Sequence, residues 1–141
     1  MDEYSNILKR HCLKVTPQRV AILEHLMNSH SHPTAEMIFN DLIKLYPSMS
    51  LATVYKTLDT LKNEALILEI NMGESSNRYD CNTTPHAHFM CYSCTKVIDI
   101  EIPSILEQIG SEVSESYNVS VLGNKTFFYG YCQGCKCRQC Q

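Results

Sequence analysis

Nine residues, His86-Ala-His-Phe-Met-Cys-Tyr-Ser-Cys94, hold four transition-metal ligands of two kinds and constrain this chain more than any other stretch. His86 and His88 are two apart, so in an extended strand both imidazoles leave the same face. Cys91 and Cys94 form a Cys-x-x-Cys pair whose short loop lets two thiolates grip one metal, and a tetrahedral site then needs two more ligands. A second pair of the same spacing stands at Cys132 and Cys135. Joined, Cys91, Cys94, Cys132 and Cys135 make one four-thiolate site of the kind zinc prefers. The histidines are surplus to it, which points to a second, harder metal bound by nitrogen and oxygen. Cys137 and Cys140 form a third pair, and spacing alone leaves them in competition with Cys132 and Cys135. The earlier pair directly ends an expected strand and is the better anchored.

The chain has 141 residues and eight cysteines. No secretory pattern opens it, and no apolar run approaches the roughly 20 residues that span a bilayer. The expectation is a cytoplasmic protein with no membrane segment, where cysteines serve as metal ligands or redox groups rather than disulfides. Charge is uneven: residues 1–65 carry seven positive and seven negative side chains, residues 66–141 five and eight. In the first twenty residues Lys9, Arg10, Lys14 and Arg19 face only Asp2 and Glu3, a basic cluster suited to phosphate.

Helical spacing of Tyr4, Ile7, Leu8 and Cys12 predicts a first helix over 3–12. Thr16-Pro17 marks a restart, with Thr as N-cap and Pro at the first helical position of a helix reaching Met27. Thr34 caps a third helix that ends near Tyr46, because Pro47 cannot continue it. Ser50 caps a fourth, whose apolar stripe is Leu51, Val54, Tyr55, Leu58 and Leu61. That leaves Ala52, Thr53, Lys56, Thr57 and Thr60 outward. This face is small, hydroxyl-bearing and free of acid before Asp59, so it suits a major groove. Strands over Ala65–Met72 and Asn77–Cys81, joined by a turn at Gly73–Ser76, complete the order of a winged helix-turn-helix.

Beyond residue 82 the period changes. Strands are expected over His86–Cys91 and Val97–Ile102, a helix over Pro103–Tyr117, and further strands over Asn118–Leu122 and Lys125–Tyr131. The fold class is therefore α+β, with a winged-helix domain suited to DNA over 1–82 and an α/β metal-binding domain over 83–141.

Several of these motifs also carry a family resemblance across nearly the whole chain. His32-Pro-Thr-Ala, Ser50-Leu-Ala-Thr-Val-Tyr, Arg78-Tyr-Asp, His86-Ala-His, both cysteine pairs and Val97-Ile-Asp stand in the order and spacing of the ferric uptake regulator family. The resemblance implies a homodimeric, metal-dependent transcription factor that binds a palindromic operator. It also implies structural zinc on Cys91, Cys94, Cys132 and Cys135. The regulatory metal is implied to sit on His32, Asp80, His86, His88 and Asp99, and Tyr55 to lie near the bases; Ala52, Thr53, Lys56 and Thr57 of the outward face and Arg19 of the basic cluster complete the expected DNA-binding set. Three imidazoles and two carboxylates suit Fe(II) or Mn(II).

Both carboxylates are Asp, as in the peroxide-responsive branch of the family. The expectation is a repressor of oxidative-stress genes, in which Fe(II) promotes oxidation of His32 or His86 and releases the operator. The alternatives are an iron- or manganese-responsive repressor of metal uptake and, further off, a non-haem metal enzyme. The fourth helix argues against the enzyme, since a catalyst needs no acid-poor, groove-shaped face. Cys12 and Cys81 read as small apolar residues, and His11, His25 and His30 as surface or boundary histidines.

Overall fold

A computed structural model describes residues 2–73, 76–84 and 86–136. Cys137 and Cys140, and the middle of the turn expected at Gly73–Ser76, lie outside these residues. The chain separates into two compact units, Met1–Thr83 and Thr84–Gln141. No helix among the described residues is long and apolar enough to cross a membrane.

The first unit runs α1 (Glu3–Arg10), α2 (Pro17–Met27), α3 (Ala35–Leu42), α4 (Leu51–Asn63), β1 (Leu68–Ile70) and β2 (Arg78–Asp80). Each helix starts on a side-chain cap: Asp2, Thr16, Thr34 and Ser50 accept from the backbone N–H of Ser5, Arg19, Met37 and Thr53. Each such cap is worth about 1 kcal/mol. The ends were less legible. α1 stops at Arg10 because Cys12 turns left-handed (φ 56°), and Leu13 N–H then reaches back to the Leu8 carbonyl at 2.9 Å. α4 closes the same way, with Ala65 left-handed (φ 56°) and Leu66 N–H on Leu61 O at 3.0 Å. Both are Schellman ends without the usual glycine. The second uses residues expected in a strand, so β1 is shorter than its apolar run. α3 stops at Leu42 rather than Tyr46, where Leu45 N–H bonds three residues back at 3.0 Å and tightens the chain ahead of Pro47.

One core holds the unit together. Leu8, Ile22, Leu23, Leu26, Ile38, Val54, Leu58, Leu61 and Ile67 are all at most 1 % exposed. Burial of each contributes about 1.5–3 kcal/mol before the cost of ordering is counted. β1 and β2 pair antiparallel, Glu69 opposite Tyr79, and Tyr79 inserts into the helical core. The stripe of α4 is rotated from the one predicted: Val54, Thr57, Leu58 and Leu61 are buried, and Tyr55 is 40 % exposed. Thr57, expected on the outer face, is 5 % exposed and is withdrawn from it. It lies four residues before Leu61 and three after Val54, hence on their side of the helix.

The second unit comprises β3 (Ala87–Cys91), β4 (Val97–Ile100), α5 (Pro103–Tyr117), β5 (Phe127–Gly130) and the short α6 (Gln133–Lys136). The sheet order is β4-β3-β5, with β4 antiparallel and β5 parallel to β3. No strand forms over Asn118–Leu122, contrary to the alternation of its side chains. Asn118 takes the left-handed conformation that ends α5 (φ 52°), and Leu122 is 99 % exposed. A strand needs a neighbour to satisfy its backbone, and this segment has no ladder partner among the described residues. α5 likewise shows Ile105, Ile109, Val113 and Tyr117 at four-residue spacing to solvent, with Leu106 as its buried residue.

Candidate metal centre

The four predicted cysteines come together inside the second unit. Cys91 ends β3 and Cys94 follows on a tight turn closed by Thr95, left-handed at φ 61°, whose N–H donates to the Cys91 carbonyl at 3.0 Å. Cys132 and Cys135 flank the start of α6 just beyond β5, which β3 pairs through Cys91 opposite Gly130. Gly130 leaves little room to spare there: an added Cβ would lie 3.3 Å from the Phe89 ring, which would have to give by a few tenths of an ångström. All four sulfurs lie within 4.8 Å of one another, and Cys94 Sγ is 3.7 Å from Cys132 Sγ. Zinc–sulfur bonds of about 2.3 Å place tetrahedral sulfurs about 3.8 Å apart, so the set fits zinc.

Protonation within the set is uneven. Backbone N–H groups of Cys94 and Cys132 hold the Cys91 thiol down to about 6, the second through a 3.4 Å contact from Cys132 N–H to Cys91 Sγ. Bonding to the Cys132 sulfur pushes Cys135 up to about 11. The set thus gives up one proton readily and holds another until a cation displaces it. Cys91 and Cys135 are buried and Cys94 is exposed.

The histidines and aspartates form two groups, one in each unit. In the first, His32 Nε2 lies 3.3 Å from Asp80 Oδ2, both side chains under a tenth exposed. His32 has φ 53°, a conformation costing roughly 1–3 kcal/mol in a β-carbon-bearing residue, and such strain collects at functional sites. The surrounding backbone over-determines it: the Arg78 guanidinium donates to the His32 carbonyl at 3.0 Å, and Tyr79 N–H donates to the Pro33 carbonyl at 3.0 Å. In the second unit Asp99 Oδ1 sits between two imidazoles, 3.2 Å from His86 Nε2 and 3.4 Å from His88 Nε2. β3 and β4 place it there by pairing His88 directly opposite Asp99.

His86 shows what this group wants. Its Nδ1 faces the Thr84 carbonyl oxygen, a contact only an N–H can make, so a neutral ring turns its Nε2 lone pair toward the Asp99 carboxylate. Two acceptors at 3.2 Å repel unless a proton or a metal cation lies between them. Fixing a histidine's second nitrogen on a carbonyl is also how metal-ligating imidazoles are oriented. The nitrogen and oxygen donors fit a metal of intermediate hardness. Neither the Thr84 carbonyl nor the role of Arg78 was legible in advance, although Arg78 was noticed as part of a motif.

The expected DNA face gathers on α4. Ala52 and Lys56 are exposed, and Thr53 is half-buried with its hydroxyl 2.9 Å from that of Ser50. Tyr55 is exposed on an adjoining side, and its hydroxyl donates to Glu36 of α3 at 2.6 Å. Arg19, on α2, is half-buried and donates to the Lys14 carbonyl at 2.9 Å. His25, expected to stand apart, pairs with Asp41 of α3 at 2.8 Å.

Comparison with known proteins places these features in context. The Ferric uptake regulator family model matches residues 10–129. The chain is 36 % identical over 138 residues to the peroxide-responsive repressor PerR of Staphylococcus epidermidis, covering 96 % of this chain and 90 % of that protein. It is 37 % identical over 137 residues to the peroxide operon regulator of Bacillus subtilis, covering 96 % and 92 %. Among solved structures it is similar to the Helicobacter pylori ferric uptake regulator, which has three functional metal binding sites. There the TM-score is 0.81 at 26 % identity, over 93 % of this chain and 87 % of that one.

Proposed function

The chain belongs to the ferric uptake regulator family, and from that premise we propose that it is a metal-dependent DNA-binding repressor that senses peroxide. Its cofactors are a structural zinc and a regulatory Fe(II) or Mn(II). Residues 1–82 meet a palindromic operator and 83–141 make a homodimer in the cytoplasm. The exposed apolar stripe of α5 supports the dimer assignment, because Ile105, Ile109 and Val113 suit a second copy better than water. A regulator of this kind performs no catalytic turnover.

The observation that carries the reading is the pairing of imidazole nitrogens with carboxylates in the two His/Asp groups, with the His86 lone pair turned toward Asp99, beside a separate all-sulfur set. In this proposal His32 and Asp80 join His86, His88 and Asp99 around one metal. Binding then favours one orientation of the two domains, and the population shifts toward the form that fits two half-sites of DNA. Ala52, Thr53, Tyr55 and Lys56 face the bases, and Arg19 a phosphate. Held by these residues, ferrous iron would supply the reducing chemistry that activates peroxide beside its own ligands. On balance one peroxide oxygen would enter the His32 or His86 imidazole and the other leave as water, and the resulting 2-oxo-histidine would donate poorly and let the domains part. The two Asp ligands and the peroxide-responsive relatives support this over metal sensing alone.

The test is affinity for a duplex that the manganese-loaded protein selects from random DNA, measured metal-free, with Mn(II) and with Fe(II), before and after stoichiometric peroxide. The reading expects tight binding with either metal and peroxide release with iron only. Binding that ignores metal contradicts the repressor switch; iron-loaded protein that keeps its operator through peroxide is a metal sensor instead.

A further inference from the structure

Two carboxylates grip α4: Glu36, on the segment that follows His32, and Glu69, on the strand β1 that pairs with the Asp80-bearing strand β2. Glu36 lies near the start of α3, four residues after His32, and accepts from the Tyr55 hydroxyl at 2.6 Å. Its second oxygen is shut off from solvent, and the Tyr55 hydroxyl is the first of the groups that hold this carboxyl below the usual range, ahead of its own backbone N–H and the Thr34 side chain. Glu69 lies on β1. One of its oxygens accepts from Lys62 Nζ of α4 at 2.8 Å, and the other accepts from Asn77 Nδ2 at 2.8 Å, with the Tyr79 hydroxyl at 3.4 Å. Three donors converge on it, which sets it apart from an isolated surface ion pair.

The mounting is continuous in both cases. β1 pairs with β2 so that Leu68 stands opposite Asp80 and Glu69 opposite Tyr79. β2 is in turn laced to the segment behind His32 by the bridge between Thr34 and Arg78 and by Tyr79 N–H on Pro33 O. Thr34 caps α3 and so fixes where Glu36 begins. His32 and Asp80 are thus each joined through backbone contacts to a carboxylate that holds α4, Glu36 at Tyr55 and Glu69 at Lys62, two turns apart.

We propose that Glu36 and Glu69 are positioning residues for operator binding, transmitting the state of the His32–Asp80 pair to the angle of α4. The proposal rests on the operator-binding reading above. It makes a prediction of sign that electrostatics alone reverses: removing an acid from a surface that meets phosphates strengthens DNA binding, whereas removing a positioning contact weakens the metal-loaded form. Coupling of this kind is demonstrated by how a variant changes the response to metal, not by spatial intermediacy.

The experiment uses the full-length chain with Glu36→Gln, Glu69→Gln and both together, each measured against the selected duplex with and without Mn(II). Each single variant is expected to lose about ten-fold in manganese-loaded affinity and the double variant more, with metal-free affinity unchanged or slightly higher. Amide hydrogen exchange of residues 51–63 gives a second readout: Mn(II) slows it in the wild type and leaves it unchanged in the double variant. An undiminished ratio of loaded to metal-free affinity overturns the proposal. So does an equal loss in both states with a lowered Tm, which marks a purely structural role. If Glu69→Gln fails to fold, Lys62→Met removes the same contact from the helix side and must reduce the ratio likewise. A wild type with no metal response sinks the functional reading itself, a result distinct from either of these.

Discussion

The four cysteines and the five His/Asp residues are the two candidate metal-binding sets, and they are built in opposite ways. All four sulfurs belong to one unit, and they are brought together by a tight turn, a parallel strand pairing and a four-residue helix. The His/Asp residues divide between two units, His32 with Asp80 and Asp99 with His86 and His88. A metal held within one folding unit can only stabilise that unit. A metal whose ligands belong to two units couples them, and that is the property a sensor requires.

The contrast breaks most visibly at Cys91. Cys91→Ser removes a buried sulfur of the set, and is expected to yield zinc-free, largely monomeric protein by metal analysis and sedimentation. A stable zinc-loaded dimer would refute the four-sulfur assignment. His32→Ala should do the reverse, keeping zinc and dimer while losing about a hundred-fold in manganese-dependent operator affinity. Loss of the dimer in that variant would erase the distinction between the two sets.

A smaller effect is expected on the DNA face. Lys56→Ala should weaken operator binding about ten-fold and reduce the salt slope by about one. Zinc content and dimerisation should not change, and a titration against salt reads this directly. The smallest effect belongs to the tail: Cys137→Ser with Cys140→Ser should leave zinc content unaltered, and zinc loss would move two ligands out of the set Cys91, Cys94, Cys132 and Cys135.

What the sequence made legible follows the range of the interactions. Caps at Thr16, Thr34 and Ser50 and the cysteine pairs are local, so their residue types announced them. Family motifs named His32, Asp80 and Asp99, which no spacing joins. Thr57 was misplaced because polarity suggested an outward side chain, whereas its phase on α4 puts it with Val54 and Leu61. The alternating segment 118–122 looked like a strand, but pairing rather than pattern makes a strand, and Asn118 turns the chain away from the helix into a segment with no ladder partner among the described residues. Glu36 and Glu69 gave no signal, since their partners lie 19 and 7 residues away and surface acids are common.

The central claim, that the His/Asp set senses while the sulfur set supports, is tested most directly by peptide mass spectrometry after stoichiometric peroxide. Iron-loaded and manganese-loaded protein are compared, and operator binding is read on the same samples. The account predicts one added oxygen on the peptide bearing His32 or His86, with iron only, in proportion to the operator released. The zinc thiolates remain unmodified, because coordination suppresses their nucleophilicity. Oxygen on the cysteines alone, or equal modification with either metal, contradicts it and makes the sulfurs the sensor.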